Sequence, residues 1–363
     1  MPAAGLRPRM LDVDGSGGGG QLLRSALALS MLDGEPVEID AVRGDRPDPG
    51  LKSQHLAAVE TAAAVAGAEV EGAELGSETV TFEPGPVSGG RYEADIGTAG
   101  SLTLLFDTLL PLAAAIDEPV SVTATGGTDV TWSPPLAYLR AVKLPLLRQF
   151  GLAAVVELDR TGFYPAGGGR ATLSLWPSEL SPVVLDAPLE PTSARVYSKA
   201  ATDLTDAEVA ERQADAATDA LHGLGIETVE HRTAYVASDS PGSAVVVRLD
   251  GAPMGTDGAS TDGTGTGSRR PLAGFDAYGA PGKPAEEVVS EVTDQVRRFR
   301  GGGAAVDVHL ADQLLVFLAL AGGRVAVPGI SDHVATNRGV LETFDRPVGV
   351  DRSGPAPVLT ADR

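Results

Sequence analysis

The chain has 363 residues, 43% of them hydrophobic but only 4% aromatic, a formal net charge of −21 and no cysteine. That length suits one large domain or two ordinary ones, with a core built mainly from Ala, Val and Leu. Disulfides, thiolate metal sites and cysteine nucleophiles are excluded, no stretch approaches the roughly 20 uninterrupted apolar residues of a membrane span, and so acidic a chain repels nucleic acid unless a local basic site offsets it.

In chain order, a short strand (MLDVD) leads into Gly17–Gly20 and then apolar residues at helical spacing through Gly34. A strand (PVEIDAV), a Pro-containing loop, a helix (QHLAAVETAAAVAG) and two alternating strands (AEVEGAEL, ETVTFEP) follow. From Ile96 the same succession recurs: small residues into a helix, a strand (PVSVTAT), a loop, a helix (LAYLRAVKLPLLRQFG) and strands (AAVVELDR, RATLSLWP). Gln21 to Ser101 and His55 to Pro135 are both offsets of 80 residues, the mark of a repeat. A shorter third copy ends the chain, with HLADQLLVFLALAGG and HVATNRGVLETF as helices and RVAVPG and PVGVD as strands. Between the second and third copies the pattern changes to an α+β block (ARVYSKA, DAEVAERQADAATDALHGLG, SAVVVRLD) holding a flexible Gly/Thr/Ser/Asp stretch. The predicted fold is α/β: three βαβαββ-like repeats in a large domain, with a small α+β domain inserted before the third. The segments are 1–184, 185–280 and 281–363. The last residues, RSGPAPVLTADR, are expected to fray.

Lysine occurs only at Lys52, Lys143, Lys199 and Lys283. An acidic, lysine-poor chain suits a salty cytoplasm, where the Debye length falls to about 3 Å at 1 M and self-repulsion is screened. The first residues lack the apolar run of a signal peptide. The reading is a soluble, cytoplasmic, halophilic protein.

The clearest basic cluster is the loop Arg43 to His55, where Arg43, Arg46 and Lys52 precede a helix. Arginine forks and helix N-terminal amides both suit phosphate, although a surface loop paired to Asp45 and Asp48 is equally readable. Gly17–Gly20 lets a backbone approach a ligand but carries no Walker Gly-Lys-Ser/Thr, and a tight turn is the plainer reading. Arg24 lies one helical turn beyond. Of five histidines, His222 and His231 look like surface residues of the insert, while His309 and His333 each open a helix. A neutral imidazole there can attack phosphorus while nearby amides hold an anion, though a hydrogen-bonded structural histidine is the default. No His/Asp/Glu set has metal-ligand spacing.

Taken in order, Asp14-Gly15-Ser16, Gln21–Arg24, the Arg43–His55 loop, Val70–Ser77, Asp95–Ser101, Gly126–Asp129, Gly162–Gly169, His309–Leu314 and His333–Asn337 resemble the RNA 3′-terminal phosphate cyclase family over nearly the whole chain. GFYPAGGG and HLADQL are the most telling, and the insert is the weakest part. The resemblance implies a large domain of three repeats akin to the C-terminal domain of bacterial translation initiation factor three. It implies a reaction in which His333 attacks ATP to give a covalent histidine–AMP. AMP then passes to an RNA 3′-phosphate, and the 2′-hydroxyl closes a 2′,3′-cyclic phosphate. It implies that His309, Leu310, Ala311, Asp312 and Gln313, with Asp107, line the ATP pocket, His309 stacking near adenine. Arg24, Arg43, Arg46, Gln54 and His55 would hold ATP phosphates or the RNA terminal phosphate. ATP with Mg or Mn is the implied cofactor and RNA with a 3′-terminal phosphate the partner; membranes are not, and oligomeric state stays open, a homodimer included.

Two departures stand out. The family's glycine loop is usually longer and carries a glutamate, and a glutamine is usual where this chain has Asp107. Asp14 and Asp107 are the candidate replacements at the metal. These departures favour an alternative, a non-catalytic relative that binds ribosomal RNA precursors during ribosome assembly, whereas the intact His333 and HLADQ argue for the enzyme. An enolpyruvyl-transferase type of repeat protein is a further class.

Overall fold

The computed structural model describes residues 9–253 and 269–362. The Gly/Thr/Ser/Asp stretch expected to be a flexible loop lies outside them, apart from Arg269 and Arg270.

The first repeat is β1 (Leu11–Asp14), α1 (Gly20–Asp33), β2 (Val37–Asp40), α2 (Ser53–Ala66), β3 (Glu69–Glu71) and β4 (Val80–Glu83). Its sheet runs β1-β2-β4-β3, with β1 parallel to β2 and the other pairs antiparallel. Gly34 and Gly67, both left-handed, end the two helices without a Cβ penalty.

The second repeat copies this order: β5 (Gly90–Asp95), α3 (Leu102–Leu109) with a 3-10 extension Leu110–Ala114, β6 (Val120–Gly126), a broken helix, β7 (Ala154–Arg160) and β8 (Gly169–Leu175). The sheet runs β5-β6-β8-β7. The broken helix is α4 (Leu136–Tyr138), a π turn (Leu139–Lys143) and α5 (Leu144–Arg148). Pro145 has no N–H to give back to the Ala141 carbonyl, and Arg248 of the insert donates to it instead at 2.9 Å.

β9 (Val183–Leu185) precedes the insert, which comprises β10 (Pro191–Ala201), α6 (Val209–Gly223), β11 (Val229–Val236), β12 (Ser243–Gly251), β13 (Leu272–Tyr278) and α7 (Ala285–Arg300). Its sheet is β11-β10-β12-β13. Val245, Val247 and Leu249 face a core shared with α6 and α7, while Val246 belongs to the main core. A strand buried on both faces reads as one apolar run, as SAVVVRLD does.

The chain closes with α8 (Val308–Gln313), α9 (Leu315–Ala321), β14 (Gly323–Ala326), α10 (Asp332–Thr343), β15 (Gly349–Asp351) and β16 (Val358–Ala361). The sheet β15-β16-β14-β9 pairs β14 parallel with β9. The third repeat is therefore complete, its first strand lying on the far side of the insert. Two expectations differ from this. The segment 281–363 includes α7, whose Val288, Val289, Val292 and Val296 are in the insert's core. The C-terminal residues pair with β14 and β15 rather than fray. No helix among the described residues is long and apolar enough to cross a membrane. α1 packs against α2, α3 and α10, so helices of all three repeats converge beside the glycine loop.

Candidate active site

The loop before α1 is shaped by what lies against it. A Cβ on Gly20 would collide with His55 Nε2 and stand 3.3 Å from Arg24 Nη1. Gly19, at φ +62°, would place one 3.3 Å from Arg46 Nη2. The glycines thus let Arg24, Arg46 and His55 reach a single backbone turn.

His55 is buried in the first turn of α2, and its Nδ1 accepts from the Lys52 N–H at 3.2 Å. In the neutral ring the proton is then on Nε2, which faces the glycine loop. Burial, reinforced by Arg24, Arg43 and Lys52, pushes its pKa down to about 3. Gln54 Nε2 lies 3.4 Å from that ring nitrogen, and Gln54 Oε1 accepts from Ser101 N–H at 3.2 Å. Arg43 is committed differently: its Nη1 donates to the Asp48 and Gly50 carbonyls at 2.9 and 3.0 Å, bracing its own loop. Lys52 pairs with Asp48. Arg46 is exposed and has no acidic partner among the described residues.

His333 is the second residue of α10, whose N-cap Ser331 accepts from Val334 N–H at 3.2 Å. The side chain is exposed and hence reachable. Partial desolvation, then Arg24 and Arg46, lower its pKa, so the imidazole keeps its lone pair at neutral pH. α10 lies beside the glycine loop, where a Cβ on Gly17 would touch Thr336 Cγ2 at 3.6 Å.

Behind Arg24 is a polar cavity of about 40 Å³, lined among others by Gln21, Asp107, Lys143, Asp312 and Asn337. Lys143 is only 2% exposed and binds Asp107 at 2.7 Å. Gln21 donates to Asp312, whose pKa burial raises to about 7 against the pull of Arg24 and Lys143. The amide oxygens of Gln21, Gln313 and Asn337 have no partner among the described residues, which marks a space for ordered water or ligand.

Asp307 caps α8, accepting from His309 N–H at 2.8 Å and Leu310 N–H at 3.1 Å. The same buried carboxylate accepts the Tyr138 hydroxyl at 2.7 Å and Gly274 N–H at 2.8 Å, joining the second repeat, the insert and the third repeat. His309 stands edge-on to Tyr138, 5.5 Å between centroids, with Nε2 3.5 Å from Asp276. Burial works to lower its pKa, but Asp276, Asp307 and Asp312 outweigh it and raise it.

The structure thus gathers Arg24, Arg46, Gln54, His55 and His333 around the glycine loop, with Asp312 and Asp107 behind Arg24. Leu310 and Ala311 do not join them: both side chains point into the main core and carry α8. Sequence reasoning missed Lys143, Tyr138, Asp276, Asp307 and Asn337. Asp307 was findable as an N-cap two residues before His309. Lys143, the one lysine of a mostly apolar segment that also carries Arg140 and Arg148, was a weaker signal.

The sequence profile of the family described as RNA 3′-terminal phosphate cyclase matches residues 16–347. Curated relatives bearing that same name include one from Halobacterium salinarum, 41% identical over 96% of this chain and 98% of its own. One from Pyrococcus furiosus is 41% identical over 92% of this chain and 93% of its own. One from Ectopseudomonas mendocina is 38% identical over 92% of each. A solved structure, the enolpyruvyl transferase NikO from Streptomyces tendae, aligns at 15% identity and a TM-score of 0.23 over 60% of this chain and 38% of that one, too slight a likeness to inform the fold.

Proposed function

The chain belongs to the RNA 3′-terminal phosphate cyclase family, and from that premise we propose that it converts an RNA 3′-terminal phosphate to a 2′,3′-cyclic phosphodiester through a His333–AMP intermediate. The observation that carries the reading is His333 itself. It is an exposed histidine at a helix N-terminus whose pKa is lowered by desolvation, Arg24 and Arg46.

In this reading His333 attacks the α-phosphorus of ATP, a P–N bond forms and pyrophosphate leaves. An oxygen of the RNA 3′-phosphate takes the adenylyl group and frees the imidazole. The adjacent 2′-hydroxyl then attacks the activated phosphorus, closes the ring and expels AMP. A phosphate monoester lacks a good leaving group, and adenylylation supplies one. Both reacting oxygens are on one ribose, so ring closure is intramolecular. Arg24, Arg46 and His55 supply fixed donors for phosphate oxygens, and Arg43 holds their loop. Asp312, hydrogen-bonded to Gln21 and within the electrostatic reach of Arg24 and His309, is the orienting group in this reading.

A protein-built cation site does not fit. No group of three or more His, Asp or Glu among the described residues could hold a metal. Asp107, one of the two expected replacements, is paired with Lys143; Asp14, the other, accepts from Ser16 N–H at 2.9 Å. A divalent ion would have to arrive with the phosphates. The net charge of −21 favours a salty cytoplasm as the working medium.

The test is incubation with α-labelled ATP and Mg or Mn in high salt, followed by denaturing electrophoresis. Wild type should carry an acid-labile label that His333→Ala lacks. No label on either, across metals and salt, would transfer the lead to RNA binding without catalysis.

A further inference from the structure

We propose that the cleft between Trp132, Tyr164 and the turn 98–101 stacks the base of the RNA's 3′-terminal nucleotide; this rests on the RNA-end reading above. Trp132 is 89% exposed and Tyr164 55%, in a chain with only two Trp, six Tyr and eight Phe. Trp132 also has φ +67°, a left-handed conformation that bulky residues rarely adopt. An indole held in a strained backbone and left in water gains the fold nothing. Such strain gathers where a side chain must be presented to a ligand.

The two rings meet at 83° with centroids 6.2 Å apart, forming a corner of two walls. The cleft they border, about 380 Å³, is closed by Gln54 and residues 98–101. Both sides are firmly set. Gly100 brings the turn so near α2 that a Cβ there would be 2.9 Å from that of Gln54. The Tyr164 loop is held by the insert: Phe163 N–H donates to Ser238 Oγ at 3.3 Å and Ala166 N–H to Ser240 Oγ at 3.0 Å.

Gln54 decides what the cleft receives. It is the wall shared with the phosphate cluster, its amide nitrogen 3.4 Å from His55 Nε2. In a nucleotide, one sugar separates phosphate from base. A terminal phosphate at Gln54 and His55 therefore delivers its own base to Trp132 and Tyr164. Stacking also answers the charge problem: it needs no positive surface, tolerates salt and accepts any base, since every base has a π-face. The adenine of ATP is the rival occupant, but the partly exposed His309 ring, backed by the buried Tyr138, offers an aromatic surface on the Asp312 side of the site.

The experiment uses Trp176→Phe, which leaves Trp132 as the sole tryptophan. The protein is titrated with a short RNA ending in a 3′-phosphate, and with the same RNA made abasic at its last nucleotide. Indole fluorescence is the readout. In parallel, Trp132→Ala is compared with wild type for RNA affinity by filter binding and for labelling by α-labelled ATP without RNA. We expect the intact RNA to quench Trp132 and the abasic RNA not to. Trp132→Ala should bind intact RNA about tenfold more weakly and take up the AMP label at the wild-type rate. Equal binding of intact RNA by wild type and Trp132→Ala would overturn the proposal. So would slower labelling of Trp132→Ala together with quenching by ATP alone, which would assign the cleft to adenine. A wild type that takes no label yet binds RNA through Trp132 would sink the catalytic reading and leave the stacking cleft standing.

Discussion

Arg24 stands between two clusters of opposite design. On its outer side Arg46, His55 and His333 crowd a glycine turn with little acidic compensation, and both histidines are driven toward their neutral forms. On its inner side Lys143 is matched by Asp107, and Asp312 is hydrogen-bonded to Gln21 and pushed up to about 7. Burying charge is costly unless it is paired, so the inner cluster is balanced within the protein. The outer one lacks such internal pairing, as the proposed binding of a phosphate anion requires. The contrast separates residues paired within the protein from those proposed to meet phosphate, although all appear as polar groups around one arginine.

The inner cluster should answer first to stability. Lys143→Met leaves Asp107 nearly buried without its partner and should cost about 3–5 kcal/mol in denaturant unfolding. Pairing it with Asp107→Leu should recover most of that loss. Recovery failing, or a loss below about 1 kcal/mol, would mean that Asp107 serves a ligand rather than Lys143. Next, Asp307→Ala removes the cap of α8 and strands the Tyr138 hydroxyl and Gly274 N–H. A loss of about 2–3 kcal/mol is expected, with weaker ATP binding because His309 is no longer aimed.

The outer cluster was the more legible in the sequence. Its parts are loops with Gly, Pro and Arg in short succession, and that local signal sufficed to pick out the residues that the fold brings to one glycine turn. The helices and most strands of the repeats were readable because their apolar periodicity is local. β5, β9, β11, β13, β16 and α7 were not. β11 is largely exposed and polar, β16 is only four residues long, and α7 was absorbed into the neighbouring repeat because its partner strands lie far back in the chain. The inner cluster was illegible for the same reason. Lys143 and Asp107 are 36 residues apart, and Gln21 and Asp312 are 291 apart. Only the packing of helices from different repeats makes them neighbours. Leu310 and Ala311, bracketed by site residues in one motif, have side chains in the main core because the 3.6-residue turn of a helix carries part of any short motif onto its core-facing side.

The two clusters should also respond to pH with opposite signs. His55 falls from its ordinary 6.5 to about 3 on folding. Between those values the unfolded chain binds a proton that the folded one does not, so stability drops as pH falls through that window. Asp312 rises from 3.8 to about 7. There the folded chain keeps a proton that the unfolded one has shed, so stability drops as pH rises. Each slope approaches about 1.4 kcal/mol per pH unit. Between about pH 4 and 6.5 they nearly cancel. Relative to wild type, His55→Gln should therefore gain stability toward pH 4.5, and Asp312→Asn should gain it toward pH 6.5, as measured by urea unfolding at pH 4.5, 5.5 and 6.5. Pyrophosphate should flatten the His55 contribution and leave that of Asp312. Two variants with the wild-type profile would show that the clusters are not electrically distinct.

The smallest stability effect belongs to Arg46. Its side chain is exposed and braces nothing, so Arg46→Ala should change unfolding free energy by less than about 0.5 kcal/mol. Yet it lies against Gly19 and helps depress the pKa of His333. Two consequences separate it from a mere surface charge. The rate of AMP labelling at low ATP should fall about tenfold, as expected for one lost charge-assisted contact to phosphate. The pH at which labelling reaches half its plateau should move up, because His333 without Arg46 nearby gains a proton more easily and loses its lone pair at a higher pH. A variant whose labelling weakens with no shift in that midpoint would place Arg46 on the phosphates alone. One that shifts the midpoint without weakening would place it on His333 alone. A variant that does neither would remove it from the anion-binding cluster, which would then rest on Arg24 and His55.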